Sequence, residues 1–384
     1  MMPTEIMKKP GPKDHRLLIA SSETDADLFY ATGFLAPDPF VFLEIRGKRY
    51  LLVNDLELDR AKRTARGCRI VPLSALAQTL KARTGKAPSL TEILVHFARR
   101  HGASAFSVPA SFPIRYADLL RRQGLRLFYR EDPFFESRRI KTAREIRAIT
   151  RTLRKIERAA HFAVSVLKRS VARRGKLFLR GKVLTSEKLR RMIESRLLEL
   201  GCLATRTIVA CGDQAVDPHE AGRGPLRPGR PIVIDIFPRD LESRYFGDFT
   251  RTFVKGKAPE KLKAVYRAVL EAQKTALKKI RHGARADQVH AVVEDFFSSQ
   301  GFRTGKIRGR MQGFFHGTGH GIGLELHEPP SVGKRPIRLE AGNVITVEPG
   351  LYYRGTGGVR LEDVALVTKT GCRLLTRFPK ILEL

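Results

Sequence analysis

Residues 316–327 read His-Gly-Thr-Gly-His-Gly-Ile-Gly-Leu-Glu-Leu-His, so three of the chain's ten histidines fall in one short stretch laced with glycine. Glycine lets backbones approach closely, and imidazole is a borderline-soft ligand or a proton shuttle. A lone histidine is more often a satisfied core or surface group; three this close together point to chemistry. On both sides lie apolar runs that carry an acid. Pro231-Ile-Val-Ile-Asp235-Ile-Phe sets Asp235 in the middle of a β run, and 244–254, with Tyr245-Phe-Gly-Asp248-Phe-Thr-Arg-Thr, returns as its hairpin partner. Strands expected over 343–353 and 358–368 place Glu348 and Glu362 inside apolar segments, with Arg360 on the same face as Glu362.

A carboxylate in an apolar strand is costly to bury unless it is paired, hydrogen-bonded or on a metal. Taken alone, the aspartates could be answered by an ion pair to Arg251. Four carboxylates and a histidine together are hard to neutralise without metal. A carboxylate-rich set with one imidazole suits a pair of divalent ions of the Mn, Co or Zn kind. No P-loop, GxGxxG fingerprint or nucleophile elbow competes with that reading.

Further from the site, the alternation of short strands (16–20, 40–45, 48–53, 69–72) with helical stretches (57–65, 90–101) predicts a compact α/β domain over 1–136. That domain has no cluster of residues with ligand spacing, so its role is read as structural or oligomeric. Residues 137–384 read as a second domain, mixed α/β with antiparallel hairpins, and 384 residues suit two domains. Thr142 is a plausible N-cap for a long helix, followed by helices at about 185–199, 260–280 and 286–300. No apolar segment follows the basic N-terminus and none is long enough to span a membrane, so neither a signal peptide nor a membrane partner is expected. The four cysteines are scattered, which fits a reduced, cytoplasmic protein.

The net charge of +33 is the odd feature. Residues 138–191 hold nineteen Lys/Arg against three Glu. Arg144, Arg147, Arg151, Arg154 and Arg158 recur at helical spacing, with Ile146, Ile149, Leu153, Ile156 and Ala160 opposite. A solvated helix face is the favoured reading of 144–158. A phosphate-tracking stripe that binds nucleic acid is the less favoured one, and acidic peptides or a partner protein come after it.

The order Asp235 … Asp248-x-Thr-Arg-Thr … His316-Gly-Thr-Gly-His-Gly-Ile-Gly … His327-Glu … Glu348-Pro-Gly … Arg360-x-Glu-Asp resembles the pita-bread metallopeptidases. That group includes Xaa-Pro aminopeptidase, prolidase, methionine aminopeptidase and creatinase. The resemblance implies a creatinase-like N-terminal domain and a pita-bread catalytic domain with an antiparallel sheet flanked by helices. It implies metal ligands at Asp235, Asp248, His320, Glu348 and Glu362, with Asp248 and Glu362 bridging two ions. It places His219 and His327 beside the scissile bond, Glu348 as proton carrier, and His316 and Arg360 as groups that orient substrate or ligands. Water activated between the ions would attack the carbonyl of a peptide, and a homodimer is expected.

The chain departs from the pattern in three places. The interval between Asp235 and Asp248 is longer than usual, which leaves the 238–244 tip to absorb extra residues, and Phe237 stands where glycine is common. Prolidases carry an arginine for the dipeptide carboxylate where this chain has Ser331; Lys334 or Arg335 could substitute. The high positive charge is unusual for a peptidase. The leading expectation is an Xaa-Pro aminopeptidase; prolidase is the nearest alternative, and a non-catalytic protein of this fold that binds nucleic acid or ribosomes is the third.

Overall fold

Consecutive apolar residues in Leu17–Ile19, Val41–Leu43 and Tyr50–Val53 point to both faces of a sheet and need cover on both. This requirement organises the first of two compact units, and the chain passes from one to the other at Glu136 and Ser137. The computed structural model describes residues 15–384; the readings of the extreme N-terminus fall outside the described residues. A six-stranded sheet runs β4 (Arg69–Pro72), β3 (Lys48–Val53), β2 (Phe40–Ile45), β1 (His15–Ala20), β5 (Ala105–Pro109), β6 (Arg126–Arg130). Two apolar clusters lie on its faces, one built on Leu17, Ile19 and Leu43, the other on Leu18, Phe42 and Leu51. Helices α1 (Ala26–Thr32), α2 (Asp55–Thr64), α3 (Leu73–Thr84), α4 (Leu90–Arg100) and α5 (Ile114–Arg122) connect the strands. Of these, α1, α3, α5, β5 and β6 have no counterpart in the sequence reading.

The second unit opens with α6 (Ala143–Arg169). Thr142 caps it through a reciprocal box in which the Thr142 hydroxyl accepts from the Glu145 amide while the Glu145 carboxylate accepts from the Thr142 amide. A three-stranded ribbon, β7 (Val171–Arg173), β8 (Lys176–Leu179) and β9 (Lys182–Val183), leads to α7 (Ser186–Glu199). The central sheet is β11 (Ile208–Cys211), β12 (Ile232–Asp235) and β14 (Thr250–Phe253), all antiparallel. In β12 the period of two divides the residues cleanly. Ile232 and Ile234 pack with Ile149, Leu153 and Ile156 of α6 and Leu189 and Ile193 of α7, while Val233 packs with Ile208 and Ala210 away from that cluster.

The other half of the unit has α8 (Glu260–Lys279) and α9 (Ala286–Ser299), with the hairpin β15 (Gly305–Ile307) and β16 (Arg310–Gln312). A five-stranded sheet follows, ordered β18 (Glu328–Val332), β17 (Gly319–Gly321), β19 (Val344–Val347), β22 (Asp363–Val367), β23 (Cys372–Leu374). A separate ribbon pairs β20 (Gly350–Tyr353) with β21 (Gly357–Arg360). Ile345 and Val347 meet Val265, Val269 and Val293 of α8 and α9.

Three expectations need correction. The strands expected over 343–353 and 358–368 each break in two, and Glu348 and Glu362 lie at the breaks. Each chain leaves one sheet there and joins another, so its acid sits at a bend and not in a ladder. The strand expected over 244–254 is ordered as a ladder only from Thr250, which leaves Asp248 in the extended approach to it. The 238–244 tip is not a free turn. Arg239–Asp240 form β13, paired with β10 (Cys202–Leu203), and buried Asp240 is held by Lys155 and the Ser243 amide. Docking the extra residues in this way leaves Asp235 opposite Thr250.

Gly319 shows how tightly the backbones meet. A Cβ there would run into the Thr346 carbonyl of β19. Gly319→Ala should therefore push β17 off β19, cost about 1–3 kcal/mol by overpacking, and lower the midpoint of thermal unfolding followed by circular dichroism.

Candidate metal centre

One cleft of about 460 Å³ gathers all nine residues singled out in the sequence: His219, Asp235, Asp248, His316, His320, His327, Glu348, Arg360 and Glu362. Asp235 ends β12, Asp248 precedes β14, His320 is the middle of β17, and Glu348 and Glu362 occupy the two strand breaks. His219 and His327 are exposed on loops, while Ile208, Phe237, Phe315 and Leu326 give the cleft apolar walls.

The acids are too close for comfort. Burial pushes the Asp248 carboxyl well above the usual range, and the charges of Asp235 and Glu348 push it further. Glu362 is raised by burial and then by Asp248, Glu348 and Asp235. Burial lifts Glu348 to about 7, although Arg360 pulls the other way. Two buried carboxylate oxygens, Oδ1 of Asp235 and Oε1 of Glu362, have no hydrogen-bond partner. An unpaired buried carboxylate oxygen is a costly state that a bound cation relieves.

Histidine geometry says the same thing. His320 Nδ1 lies 3.0 Å from the Gly321 carbonyl, an acceptor, so Nδ1 carries the proton. Burial lowers the ring's pKa, which leaves Nε2 as a bare lone pair. That lone pair faces Glu348 Oε1 at 3.4 Å and Asp248 Oδ2 at 3.6 Å. Acceptors facing acceptors need a proton or a metal cation between them. Asp248, His320 and Glu362 each offer a ligand atom, all within 4.8 Å of one another. These donors fit a divalent metal ion.

Behind the acids stands a hydrogen-bonded chain that the sequence reading missed in one member, Tyr352. Arg360 Nη2 donates to Asp235 Oδ2 at 2.6 Å, and Nη1 donates to the Tyr352 oxygen at 3.1 Å. His316 Nδ1 donates to the Gly317 carbonyl at 2.8 Å, so its Nε2 accepts from the Tyr352 hydroxyl at 2.8 Å. Burial, with the Arg360 charge beside it, pushes His316 down to about 3. Arg251, weighed above as the partner of the aspartates, turns away instead: it pairs with Asp363 at 2.7 Å and donates to the Glu362 carbonyl.

A second missed group fixes the loop that carries His327. Glu328, the next residue, is buried and receives Lys141 on one oxygen and Arg138 on the other, the latter at 2.7 Å. Arg138 also reaches Glu325 at 2.7 Å. Lys141 and Glu328 lie 187 positions apart, so no local pattern could reveal the pair.

Lys334 and Arg335 are absent from the cleft wall, and Lys334 lies 3.7 Å from Glu294 instead. Among the described lining residues, Arg360 is the one Lys or Arg, and Asp235 and Tyr352 already engage it.

Residues 152–369 match the model of metallopeptidase family M24, and the chain belongs to that family. It is 38% identical to an Xaa-Pro dipeptidase of Pyrococcus horikoshii over 173 residues, which are 44% of this chain and 46% of that protein. An uncharacterized peptidase of Staphylococcus aureus is 31% identical over 247 residues, 63% of this chain and 64% of that one. The aligned region thus spans about half to two thirds of the curated relatives. Among solved structures, an Xaa-Pro dipeptidase from Bacillus anthracis superposes with a TM-score of 0.80 at 24% identity, covering 97% of this chain and 95% of that one. An X-Pro aminopeptidase from Thermotoga maritima gives a TM-score of 0.77 at 24% identity, covering 96% and 98%. The fold is the pita-bread fold, mixed α/β, as the motifs implied. No helix among the described residues is long and apolar enough to cross a membrane.

Two outcomes are expected. Purified protein incubated with Mn²⁺, Co²⁺ or Zn²⁺ and desalted should retain metal by elemental analysis, and Asp248→Ala with Glu362→Ala should lose it; equal metal in both would remove these residues from the ligand set. His316 has a folded pKa below that of the unfolded chain, so the unfolded state takes up the proton first. Its contribution to stability is complete above about pH 6.5 and is lost as pH falls toward about 3. Relative to His316→Gln, the wild type should lose about 2 kcal/mol more between about pH 6.5 and 5, measured by denaturant titration.

Proposed function

We propose that the chain is a metal-dependent Xaa-Pro aminopeptidase that releases the residue ahead of proline. The observation that carries the metallopeptidase reading is the cluster of Asp235, Asp248, His320, Glu348 and Glu362 around a His320 lone pair that faces carboxylates. These five would hold two divalent ions, Mn, Co or Zn, with Asp248, His320 and Glu362 offering their ligand atoms closest together. The ions would supply Lewis acidity toward a carbonyl and make water a better nucleophile at neutral pH.

The protein's own groups divide the remaining work. Arg360 holds one oxygen of Asp235 and thereby sets the direction of the other. Tyr352, itself hydrogen-bonded to His316, holds the other side of the Arg360 guanidinium in that position. Glu348, half-buried at the cleft wall, is placed to take a proton from attacking water and pass it on. His219 and His327 can donate to the tetrahedral oxyanion or to the leaving amine. Partial desolvation on its cleft side, with His320 beside it, lowers the His327 pKa and so favours the neutral ring, which can accept as well as donate.

Preference for an aminopeptidase over a dipeptidase rests on the wall. A dipeptidase must recognise the free carboxylate next to the scissile bond, and a buried carboxylate without a cation is expensive. Here Ser331 stands where prolidases carry an arginine, and no uncommitted Lys or Arg lines the cleft among the described residues. A longer peptide continues with an amide and asks for no such cation. The chain is similar to proteins named for each activity, so peptide length is the property on which the two readings are tested.

Metal-reconstituted protein should cleave Xaa-Pro-Xaa tripeptides with kcat/KM at least about tenfold above Xaa-Pro dipeptides, a difference of about 1.4 kcal/mol in transition-state binding. A preference for dipeptides would make the chain a prolidase. No cleavage of either would refute the peptidase assignment.

A further inference from the structure

The twenty Lys/Arg against five Glu in residues 138–199 form a surface, not a scattered excess. On a helix of 3.6 residues per turn, Arg144, Arg147, Arg151, Arg158 and Arg169 of α6 fall within an arc of about 60° along about 37 Å. All five are exposed. Four of the five acids that could offset them are already engaged. Glu145 accepts from Thr142 and Tyr245, and Glu157 accepts from Arg154 and the Arg377 amide. Glu187 accepts from the Gly224 amide, and Glu199 pairs with Arg196. Among the described residues, Arg144, Arg147, Arg158, Lys188 and Arg191 form no ion pair, and Arg151 has only a 3.9 Å approach from exposed Glu242.

Between α6 and α7 runs an open groove of about 630 Å³. Its rim carries Arg158, Lys188, Arg191 and Arg196, and its floor carries the half-buried Phe162 and Met192. Phe162 lies in the same angular stripe as the arginines. The ribbon β7–β9 between the two helices adds exposed Arg173, Arg174, Lys176, Arg180 and Lys182. Arg174 and Arg180 sit at positive φ of 49° and 50°, each before a glycine at positive φ, where asparagine or aspartate is the usual choice.

We infer that the α6–α7 face binds single-stranded nucleic acid, with the phosphates along the cationic rim and a base against Phe162. A phosphodiester chain matches a row of unneutralised cations, and an aromatic ring on the floor offers the sequence-tolerant stacking such chains use. An acidic protein or an anionic membrane would use the same charges but not the stacking floor. The face lies behind the central sheet: α6 and α7 pack on Ile232 and Ile234, whereas Asp235 of the same strand lines the catalytic cleft. Binding and catalysis are therefore separable.

Full-length protein is titrated with a fluorescent oligouridine at salt from about 50 to about 200 mM. Wild type should bind with a steep salt dependence, since each phosphate contact on a single strand contributes a slope of about 0.7. The variant R158Q/K188Q/R191Q/R196Q should bind at least about tenfold more weakly, with the slope lower by about 2 to 3, and with peptide cleavage and thermal midpoint unchanged. The variant R63Q/K81Q/R83Q/K86Q, on exposed positions of the first unit, removes the same charge and should bind nearly as wild type. Phe162→Leu should weaken oligouridine binding without changing the slope. Equal losses in the two quadruple variants would overturn the inference, as would salt-insensitive binding. Polyglutamate or phosphatidylserine vesicles competing as well as oligouridine would overturn it too.

Discussion

Four carboxylates converge on one cleft, and their mutual repulsion is the constraint around which the second unit is built. Only one guanidinium, that of Arg360, enters the site among the described residues, and it answers one oxygen of one acid. The remaining negative charge must be met by protons or by metal. Asp248, Glu348 and Glu362 accordingly hold their protons more tightly than ordinary acids while no cation is bound. The framework resists this repulsion from behind. Arg251 is fully buried, bridges Asp363 to the Glu362 carbonyl and stacks against Phe249 at 4.6 Å. Gln273 of α8 donates to the Val347 and Leu361 carbonyls, the residues just before Glu348 and Glu362. Both strand breaks are thus braced one residue upstream of the acid they present. Breaking such a buried pair by removing one partner leaves a stranded charge, which costs more than the pair contributes.

Why the acids sit at breaks follows from what a ladder can do. In a regular strand a side chain stands perpendicular to the sheet, and neighbours on one face lie in rows. Convergence of acids from β12, the approach to β14 and the two strand breaks on one point, with His320 from β17, needs chain that leaves the sheet. Pro349 after Glu348 cannot donate to a ladder, and the turn into the β20–β21 ribbon follows from that. Gly319 and Gly321 contribute by letting β17 lie against the backbones of Thr346 and Glu328, so that His320 reaches the cleft from a strand with almost no bulk on either side.

The four acids of the candidate site were legible because a carboxylate is costly to bury and stands out against an apolar background, and His316, His320 and His327 because they crowd one glycine-rich stretch; His219 entered only through the family resemblance. The N-cap at Thr142 was legible for a similar reason, since Thr and Glu three apart announce a reciprocal cap. What escaped notice was non-local or locally ambiguous. Apolar runs such as 343–353 carry no mark of the point where one sheet ends and another begins. Tyr352 reads as an ordinary strand aromatic until Arg360 and His316 are seen on its hydroxyl. Lys141 and Glu328 come together only in the folded chain. Arg251 was weighed as the partner of the nearer acids, but β14 alternates, and its side chain points to the face opposite Thr250 and Thr252, whose hydroxyls reach Glu362 and the Arg360 backbone. Helix α1 is only seven residues long, and α3 has a weak apolar period with no residue buried. Helix α5 is short but strongly amphipathic, with Ala117 and Leu120 buried, and the sequence reading missed it.

The charge distribution can then be understood from one strand. Period-two alternation in β12 sends Ile232 and Ile234 to the helices and Asp235 to the cleft, so the apolar layer between α6 and the central sheet separates the exposed arginines from the acids. The Debye length at physiological salt is about 8 Å, and the exposed arginines are screened by solvent as well. Their field does little to unload the buried carboxylates, and it does not replace a metal. A net charge of +33 and a site short of cations can therefore coexist in one chain. The two faces answer different demands: the front concentrates negative charge on buried side chains, and the back spreads positive charge over exposed ones. Charge on the back can vary without disturbing the front, because the contacts that tie the buried side of α6 to the rest of the unit, Lys155 with Asp240 and Glu157 with the Arg377 amide, do not use the exposed arginines.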